Sequence, residues 1–305
     1  MSDLAVTLRT RLASSPELGA LVVPGVFNAL SALAAVQAGF EAIYVSGAGV
    51  TNSYLGLPDL GFLGLAELSA HTAAIAEAVP HVPIIVDGDT GFGNALGVAR
   101  AVTRLERCGA TAIQIEDQVN PKRCGHFGGS QIQIVPLEEM LNKIRAALDA
   151  RDTALIVART DARDGHGIDV AIERGQAYAA AGADVVFVEA PRTIAELEAV
   201  GRASYGVPLI ANMVEGGLTP VLGITELSRL GFSAALYANS ALRASIKSMM
   251  HVLTTLRRDG TTLAAEDAIA SWQDRQELVR KSHFDAMAVR YGDPEESTFD
   301  TSNHK

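Results

Sequence analysis

Eight short runs of apolar, largely β-branched residues recur between residues 21 and 238, and they constrain the fold more than any other feature of the chain. Each run is almost continuously apolar, which is typical of strands in a parallel sheet that is buried on both faces. The predicted strands cover residues 21–24, 42–46, 84–87, 112–116, 154–158, 185–188, 208–212 and 234–238.

Segments with helical character separate these runs, for example residues 94–109 and 136–151. A glycine follows several of the predicted helices just before the next strand. Glycine readily adopts the left-handed conformation that ends a helix, so these glycines predict helix ends. They are Gly39, Gly109, Gly182 and Gly231.

Eight strands that alternate with helices predict an α/β protein with a (β/α)8 TIM barrel, a fold of typically about 250 residues. A doubly wound open sheet is the alternative. The barrel is favoured because the strand count is eight and no dinucleotide-binding motif follows the first strand. The run "GFGNALG" (91–97) has the wrong spacing for such a motif and follows the third strand instead.

Further helices are predicted after the eighth strand, over residues 240–260 and 264–287. We expect one barrel domain over residues 1–305, with a helical extension at 264–290. The extension exceeds what closing a barrel needs, which favours packing on a partner subunit. The polar end of the chain, residues 292–305, predicts a disordered tail.

Composition and charge exclude several classes of partner. The formal net charge is −10 and no basic stripe is visible, which argues against nucleic-acid binding. Two cysteines, Cys108 and Cys124, are too few for a disulfide framework. Neither a signal peptide nor a membrane span is recognisable. We therefore expect a soluble, cytoplasmic protein without membrane contact that handles a small molecule.

Polar residues stand at seven of the predicted strand ends. In a barrel the carboxyl ends of the strands build the active site, and helix capping alone does not explain seven polar ends in phase. The residues are Ser46, Asp87, Asp89, Glu116, Asp117, Arg159, Asp161, Glu189, Asn212, Tyr237 and Asn239.

Three of these carboxylates predict a metal site. Asp87 and Asp89 are two residues apart, so in an extended chain they face the same way, and Glu116 ends the neighbouring strand. Such oxygen ligands suit Mg²⁺ or Mn²⁺. Asp89 could instead cap the following helix, but Asn94 is better placed as that cap.

Cys124 lies in an electropositive segment after the fourth strand, close to Lys122, Arg123 and His126. Nearby cations stabilise a thiolate and lower the pKa of a thiol. A free cysteine without a role is the alternative. Cys108, at a predicted helix end, is expected to be a buried structural residue.

Five motifs make the chain resemble the isocitrate lyase and phosphoenolpyruvate mutase superfamily over about residues 20–290. They are "VSGAGVTNSYLGLPDLG", "DGDTGFGN", "IEDQVNPKRCGH", "ARTDA" and "ANMVEGG". The run of lysine, arginine, cysteine, glycine and histidine is the most specific and is similar to the signature of the lyases. The resemblance implies a (β/α)8 barrel whose eighth helix is swapped between subunits of a homodimer or homotetramer.

The resemblance also implies residue roles. Asp87 and Asp89 would bind Mg²⁺, with Glu116 reaching the metal directly or through water. Cys124 would protonate the departing carbanion. The catalytic group would comprise Asp59, Glu116, Lys122, Cys124 and His126. The substrate-binding group would comprise Ser46, Gly47, Ala48, Gly125, Arg159, Glu189, Asn212, Arg243 and Arg275.

The activity that the resemblance implies is a retro-aldol cleavage of a 2-hydroxy carboxylate. The leading expectation is cleavage of 2-methylisocitrate into pyruvate and succinate. Cleavage of 2,3-dimethylmalate and phosphonate mutation of carboxyvinyl-carboxyphosphonate are alternatives, and a catalytically silent binding barrel is a remote one. Ala238 and Asn239 depart from the proline and leucine of many relatives, which leaves the substrate open.

Overall fold

Eight parallel strands close into a barrel in sequence order, in a computed structural model that describes residues 3–123 and 132–292. Pairing of the first strand with the last excludes the open-sheet alternative, so the predicted (β/α)8 barrel is confirmed. The strands are β1 (Leu21–Val26), β2 (Ile43–Val45), β3 (Ile84–Asp87), β4 (Ala112–Glu116), β5 (Leu155–Thr160), β6 (Val185–Val188), β7 (Leu209–Asn212) and β8 (Ala234–Tyr237).

Helices precede, connect and follow the strands. Those up to the fourth strand are α1 (Asp3–Ala13), α2 (Ser15–Leu18), α3 (Ala29–Gln37), α4 (Gly47–Val50), a π-helical turn (Thr51–Leu55), α5 (Leu65–Ala78) and α6 (Ala95–Arg107). The later ones are α7 (Leu137–Ala150), α8 (Ala162–His166), α9 (Ile168–Ala180), α10 (Ile194–Arg202), α11 (Ile224–Arg229), α12 (Ser240–Asp259), a 3₁₀ turn (Leu263–Ala268), α13 (Trp272–Leu278) and α14 (Lys281–Tyr291).

Local sequence signals fix several helix boundaries. The side chain of Asn94 accepts hydrogen bonds from the backbone N–H groups of Leu96 and Gly97, so Asn94 is the cap of α6, as predicted. The four glycines predicted to end helices all have left-handed φ angles. These angles are 88° at Gly39, 100° at Gly109, 104° at Gly182 and 97° at Gly231.

The barrel interior is a packed apolar core. Leu21, Ile85 and Phe187 belong to one buried cluster, together with Leu8 and Leu12 from α1. Helix α1 thus contributes to the core inside the strands, and each fully buried leucine contributes about 1.5–3 kcal/mol. The interior is therefore filled, and open space for chemistry is confined to the strand ends.

Gly25 lies at the seam where β1 meets β8. A Cβ atom at this position would stand 1.8 Å from the carbonyl oxygen of Ala238. Since no side chain tolerates that distance, only glycine lets the first strand approach the end of the last one. The register at the seam pairs Leu21 with Ala234.

The chain divides into two compact units, with the boundary between Ser245 and Ile246. In the second unit, the helix predicted over residues 264–287 is wrong in one respect, because three shorter elements replace it. Ser271 caps α13 by accepting from the N–H of Asp274, and Arg280 adopts a φ of 56° before α14. Both features interrupt helical hydrogen bonding.

One face of α12 in the second unit carries exposed apolar side chains, namely Ile246, Met249, Met250, Leu253 and Leu256. Exchange of this region between subunits stays a prediction, as do the predicted domain limits. Within residues 3–123 and 132–292, no helix has both the length and the apolar character needed to cross a membrane. The predicted disordered tail lies almost wholly outside the described residues.

Candidate active site

The carboxyl ends of the strands bring the predicted polar residues to one end of the barrel. β2 leads into Ser46, whose Oγ accepts a hydrogen bond of 3.1 Å from the N–H of Gly49 and so caps α4. Each of the following residues is at most 9% exposed although it carries a polar side chain: Ser46, Asp87, Asp89, Glu116, Asp117, Asp161, Glu189 and Asn212. Buried polar groups at this density indicate a functional site.

A chain of hydrogen bonds orients Asp87 from within the barrel. Its Oδ1 accepts from Gln114 Nε2 at 3.2 Å and from the N–H of Asp89 at 3.2 Å. Its Oδ2 faces the N–H of Gly47 at 3.3 Å. The hydroxyl of Tyr44 in turn donates to Gln114 Oε1 at 3.1 Å. Burial raises the pKa of Tyr44, so its phenol keeps the proton that this contact needs.

Lys122 joins two carboxylates from different loops. Its Nζ lies 2.5 Å from Asp89 Oδ1 and 2.9 Å from Asp59 Oδ1. Burial alone would lower the pKa of Lys122, but the charges of Asp89 and its neighbours outweigh this effect and raise the pKa. Burial raises the pKa of Asp89 to about 7, against the attraction of the ammonium group. Lys122 is therefore held as a cation between carboxyl groups.

Arg159 is the second buried cation of the site. Its Nε and Nη2 atoms bind both oxygens of Asp161, at 2.9 and 2.7 Å. Its guanidinium also lies 3.4 Å from Glu116 and 3.6 Å from Glu189. Burial raises the pKa of Glu116 well above its usual value and that of Asp161 to about 6, although Arg159 opposes both shifts. Asn212 donates to Glu189 at 3.2 Å.

Another buried carboxylate, Asp117, binds residues at the end of β5. It accepts hydrogen bonds from Thr160 Oγ1, the N–H of Asp161, Arg174 Nε and the hydroxyl of Tyr178, at 2.7, 2.9, 2.8 and 2.6 Å. With four donors its charge is well satisfied. Asp117 therefore fixes the end of β5, which carries Arg159.

Comparison with known families decides the classification. The model of the phosphoenolpyruvate phosphomutase family matches residues 9–257, most of the chain. The chain belongs to this family.

Individual members of the family agree with this assignment. The chain is 47% identical over 259 residues to a 2-methylisocitrate lyase of Aeropyrum pernix, covering 85% of this chain and 82% of the relative. It is 43% identical over 261 residues to a 2,3-dimethylmalate lyase of Eubacterium barkeri, covering 85% and 89%. The family relationship makes this chain an enzyme, a carbon–carbon lyase of the isocitrate lyase and phosphoenolpyruvate mutase superfamily.

Solved structures of family members share the whole fold. A crystal structure of 2,3-dimethylmalate lyase superposes with a TM-score of 0.88 at 33% identity, over 96% of both chains. A phosphonopyruvate hydrolase in complex with oxalate and Mg²⁺ gives 0.83 at 33% identity, over 94% of this chain and 98% of that one.

The residues present fit the divalent metal that the family implies. Glu116 Oε1 is buried without a hydrogen-bond partner among the described residues. A Cβ atom at Gly47 would stand 3.1 Å from Asp87 Oδ2 and 3.2 Å from Asp89 Oδ1, so both carboxylates border one small space. Hard carboxylate oxygens of this kind are the ligands that Mg²⁺ prefers.

The three predicted ligands do not form a ready-made cage. Within residues 3–123 and 132–292, no three His, Cys, Asp or Glu side chains are arranged to hold a metal ion. Mg²⁺ commonly uses one or two carboxylates and completes its shell with water and substrate oxygens. The pair Asp87 and Asp89 meets that need, and the ligand set that includes Glu116 stays a prediction.

Two further residues predicted to bind substrate, Arg243 and Arg275, make contacts of their own. Arg243 is exposed, and its Nη1 donates to the backbone carbonyl oxygen of Glu215 at 2.6 Å. Arg275 belongs to the second unit, where its guanidinium stacks on Trp272 at 3.9 Å. Their substrate contacts stay predictions. The predictions for Cys124, Gly125 and His126 lie outside the described residues.

Ala48, in α4, is half-buried beside the buried Gly47, which places it at the edge of the site. Cys108 was expected to be buried, but it is only partly buried, because it caps the end of α6 rather than belonging to the core-facing stripe of the helix.

Sequence reasoning missed the residues that orient the site. Gln114, Gln118 and Tyr44 carry no charge and resemble ordinary strand residues, yet all three are at most 3% exposed. A signal was present for the glutamines, because positions 114, 116 and 118 alternate and therefore face the same side as Glu116. A buried amide in this row needs a hydrogen-bond partner and so indicates a supporting role.

Proposed function

We propose that this enzyme cleaves 2-methylisocitrate into pyruvate and succinate with the help of Mg²⁺ or Mn²⁺. The observation that carries the proposal is the buried group of carboxylates around Asp87 and Asp89, which joins two cationic side chains at the strand ends. The relatives of known name support the same class of reaction.

Asp87 and Asp89 are the proposed metal ligands, with Glu116 reaching the metal directly or through water. When bound, the metal ion supplies Lewis acidity that lowers the pKa of the substrate hydroxyl. The protein supplies the rest of the environment. The hydrogen bonds from Gln114 and Gly47 hold Asp87 in one orientation, so no reorientation of this ligand is needed during the reaction.

Substrate binding is assigned to both sides of the metal ligands. The turn that contains Ser46, Gly47 and Ala48 would hold the carboxylate next to the hydroxyl. Burial alone would lower the pKa of Arg159, but the charges of Asp161, Glu189 and Glu116 outweigh this effect and raise the pKa. Arg159 therefore keeps its charge. Its positive charge would stabilise substrate oxygens, and Asn212 would line the far end.

Two proton transfers complete the proposed reaction. A base, for which Asp59 is our candidate, takes the hydroxyl proton. The electron pair of the broken C–C bond then moves to the carbon of the leaving fragment. The thiol of Cys124 donates a proton to that carbon, which gives succinate. Lys122 and His126 would supply positive charge for the anions.

A substrate panel tests the proposal directly. We expect pyruvate release from racemic 2-methylisocitrate, loss of release in EDTA, and recovery with excess Mg²⁺. Arg243→Ala and Arg275→Ala should each raise KM for this tricarboxylate by roughly tenfold or more, since a charge pair contributes about 2–5 kcal/mol at the upper end. They should leave KM for 2,3-dimethylmalate nearly unchanged.

The same panel tests a second candidate, cleavage of 2,3-dimethylmalate. The exposed position of Arg243 favours this reaction, because a dicarboxylate needs one cation fewer. A wild-type preference for the dicarboxylate, or full activity of both arginine variants on 2-methylisocitrate, would move the assignment to this candidate. Turnover of carboxyvinyl-carboxyphosphonate would move it to the phosphonate mutase reaction.

The proposed acid is tested by a cysteine exchange. Cys124→Ser should reduce kcat by about 1,000-fold or more, because a serine hydroxyl is a far weaker acid than a thiol near neutral pH. Mg²⁺ binding should persist. It is measured by the competition of Mg²⁺ with Mn²⁺ in electron paramagnetic resonance. Cys108→Ser is the matched control and should keep full activity. A Cys124→Ser enzyme with a tenth of the wild-type rate would remove the proton-donor role.

A further inference from the structure

The side chain of Gln118 makes a paired contact with the backbone of Arg123. Gln118 Oε1 accepts from the N–H of Arg123 at 2.8 Å, and Gln118 Nε2 donates to the carbonyl oxygen of Arg123 at 2.9 Å. Gln118 is 2% exposed. One amide group thus pairs with both backbone groups of Arg123, which lies outside regular secondary structure. We call this contact the Gln118 clasp.

The chain on the β4 side of the clasp is well anchored. The N–H of Val119 donates to the carbonyl of Gln133 at 2.8 Å, and the N–H of Val135 donates to the carbonyl of Asp117 at 2.8 Å. These bonds form a short ladder between residues 117–119 and 133–135. Gln118 therefore starts from a rigid base, two residues after Glu116.

Among residues 3–123 and 132–292, the segment between Val119 and Arg123 pairs with no such ladder. Within the same ranges, the backbone of residues 120–123 makes two hydrogen bonds, both with the side chain of Gln118. The segment also lies against Gly61, where a Cβ atom would stand 3.6 Å from the N atom of Lys122. Packing limits the segment on one side, and the clasp fixes its far end.

Lys122 is the residue of this segment that enters the site. Its ammonium group lies 2.5 Å from Asp89 and within 3.0 Å of both oxygens of Asp59. A lysine side chain has four rotatable bonds, so the position of its ammonium group depends on where the backbone is held. The residue next to Lys122 is the one that Gln118 binds.

We propose that Gln118 is a positioning residue for Lys122. Its amide clasps the backbone of Arg123 and thereby holds the ammonium group of Lys122 between Asp59 and Asp89. The importance of this for catalysis rests on the proposed function, in which Lys122 supplies positive charge to the reacting anions. The clasp itself is independent of which substrate the enzyme takes.

A chemical probe of Lys122 tests the clasp without reference to activity. The intact protein is treated with a low concentration of acetic anhydride, and the acetylation rate of each lysine is read by peptide mass spectrometry. Lys122 should be protected in the wild type. In Gln118→Met, which keeps the length of the side chain but neither hydrogen bond, its rate should rise about tenfold.

Two internal comparisons separate positioning from general loosening. Lys143, 3% exposed on α7, donates to the carbonyl of Thr90 at 3.2 Å and should stay protected in every variant. Gln133→Met changes an exposed glutamine in the same ladder and should behave like the wild type. With the proposed substrate, Gln118→Met should lower kcat by about ten- to one-hundredfold, while Tm stays close to the wild-type value.

Gln118→Glu is the second variant and carries the test alone if Gln118→Met does not fold. It keeps the acceptor for the N–H of Arg123 but loses the donor for its carbonyl, so Lys122 labelling should rise about threefold. Wild-type protection of Lys122 in both variants overturns the proposal. An equal rise in the acetylation rates of Lys122 and Lys143 in the variants also overturns it. Loss of the Gln118 contacts would then loosen the structure in general and not Lys122 in particular. Altered labelling without any change in a measured lyase activity would refute only the catalytic use of Lys122.

Discussion

Glu106 and Glu116 are the same residue type ten positions apart, but the barrel treats them in opposite ways. Glu106 lies in the last turn of α6, at the end of the barrel where the strands begin. It accepts hydrogen bonds from the N–H groups of Asp152, Thr153 and Ala154 at 2.5–2.7 Å. Burial would raise the pKa of Glu106, but these donors outweigh burial and lower it.

Glu116 stands at the opposite end, where β4 finishes. Its Oε1 has no hydrogen-bond partner among the described residues, and burial raises its pKa well above the usual value. The difference shows how one fold divides its tasks. Glu106 is satisfied by backbone donors and stabilises the protein, whereas Glu116 remains under-satisfied and is available to a cation.

The strongest test of this division is Asp89→Asn. We expect kcat to fall by about 1,000-fold, as when a preorganised charge contact is removed from other active sites. The free energy of unfolding in EDTA should change little. The lost ion pair with Lys122, which keeps Asp59 as a partner, is offset by relief of the burial of Asp89 and of its repulsion by Asp87 and Asp59. Steady-state kinetics and urea unfolding measure the two quantities. A large loss of stability with activity retained would reverse the assignment of the two ends.

Glu106→Gln should show the opposite pattern. The amide loses one acceptor oxygen and turns an NH₂ group toward backbone donors, so unfolding should become easier by about 1–3 kcal/mol. Activity should stay near the wild-type value. Glu77→Gln, at the exposed end of the neighbouring helix α5, is the matched control and should change stability by less than about 0.5 kcal/mol. An equal change in the free energy of unfolding for Glu106→Gln and Glu77→Gln would contradict a stabilising role of the Glu106 hydrogen bonds.

The third test concerns the pH dependence of the stability of the metal-free protein. The pKa of Asp89 is about 7 in the folded state and ordinarily 3.8, so the folded state binds the extra proton between these values. Asp89 therefore contributes stability at low pH that is lost as pH rises through about 7, with a slope of at most about 1.4 kcal/mol per pH unit. Asp89→Asn should remove the part of the slope that Asp89 contributes, while the part from Asp161 and Glu116 remains. Glu106→Gln should leave the slope unchanged. Urea unfolding in EDTA between pH 5 and pH 8 measures it.

The sequence was most informative where a residue's own chemistry decides its structure. The eight apolar runs predicted all eight strands, because burial on both faces demands such runs. Asn94 and the four helix-ending glycines were predicted from backbone geometry alone. Asp87 and Asp89 border one small space, as predicted, but not because the chain is extended over both: β3 ends at Asp87, and Asp89 has a left-handed φ of 49°.

The remainder depends on contacts between distant segments. Tyr44, Gln114 and Asp87 come from three strands, and no local pattern announces their hydrogen bonds. The ion pair between Lys122 and Asp59 likewise joins residues far apart in sequence. The helix predicted over residues 264–287 failed for a different reason. Its helical propensity is continuous, but a serine cap and a left-handed arginine interrupt the backbone.

The seam between β1 and β8 also affects how the protein is made. β1 leaves the ribosome early, but its partner Ala234 is translated 213 residues after Leu21. At about 5–20 residues per second, this interval lasts roughly 10–40 s. Throughout that time one edge of β1 has no neighbour, and exposed strand edges invite aggregation. Gly25 lets the late strand dock at this edge without displacing a side chain.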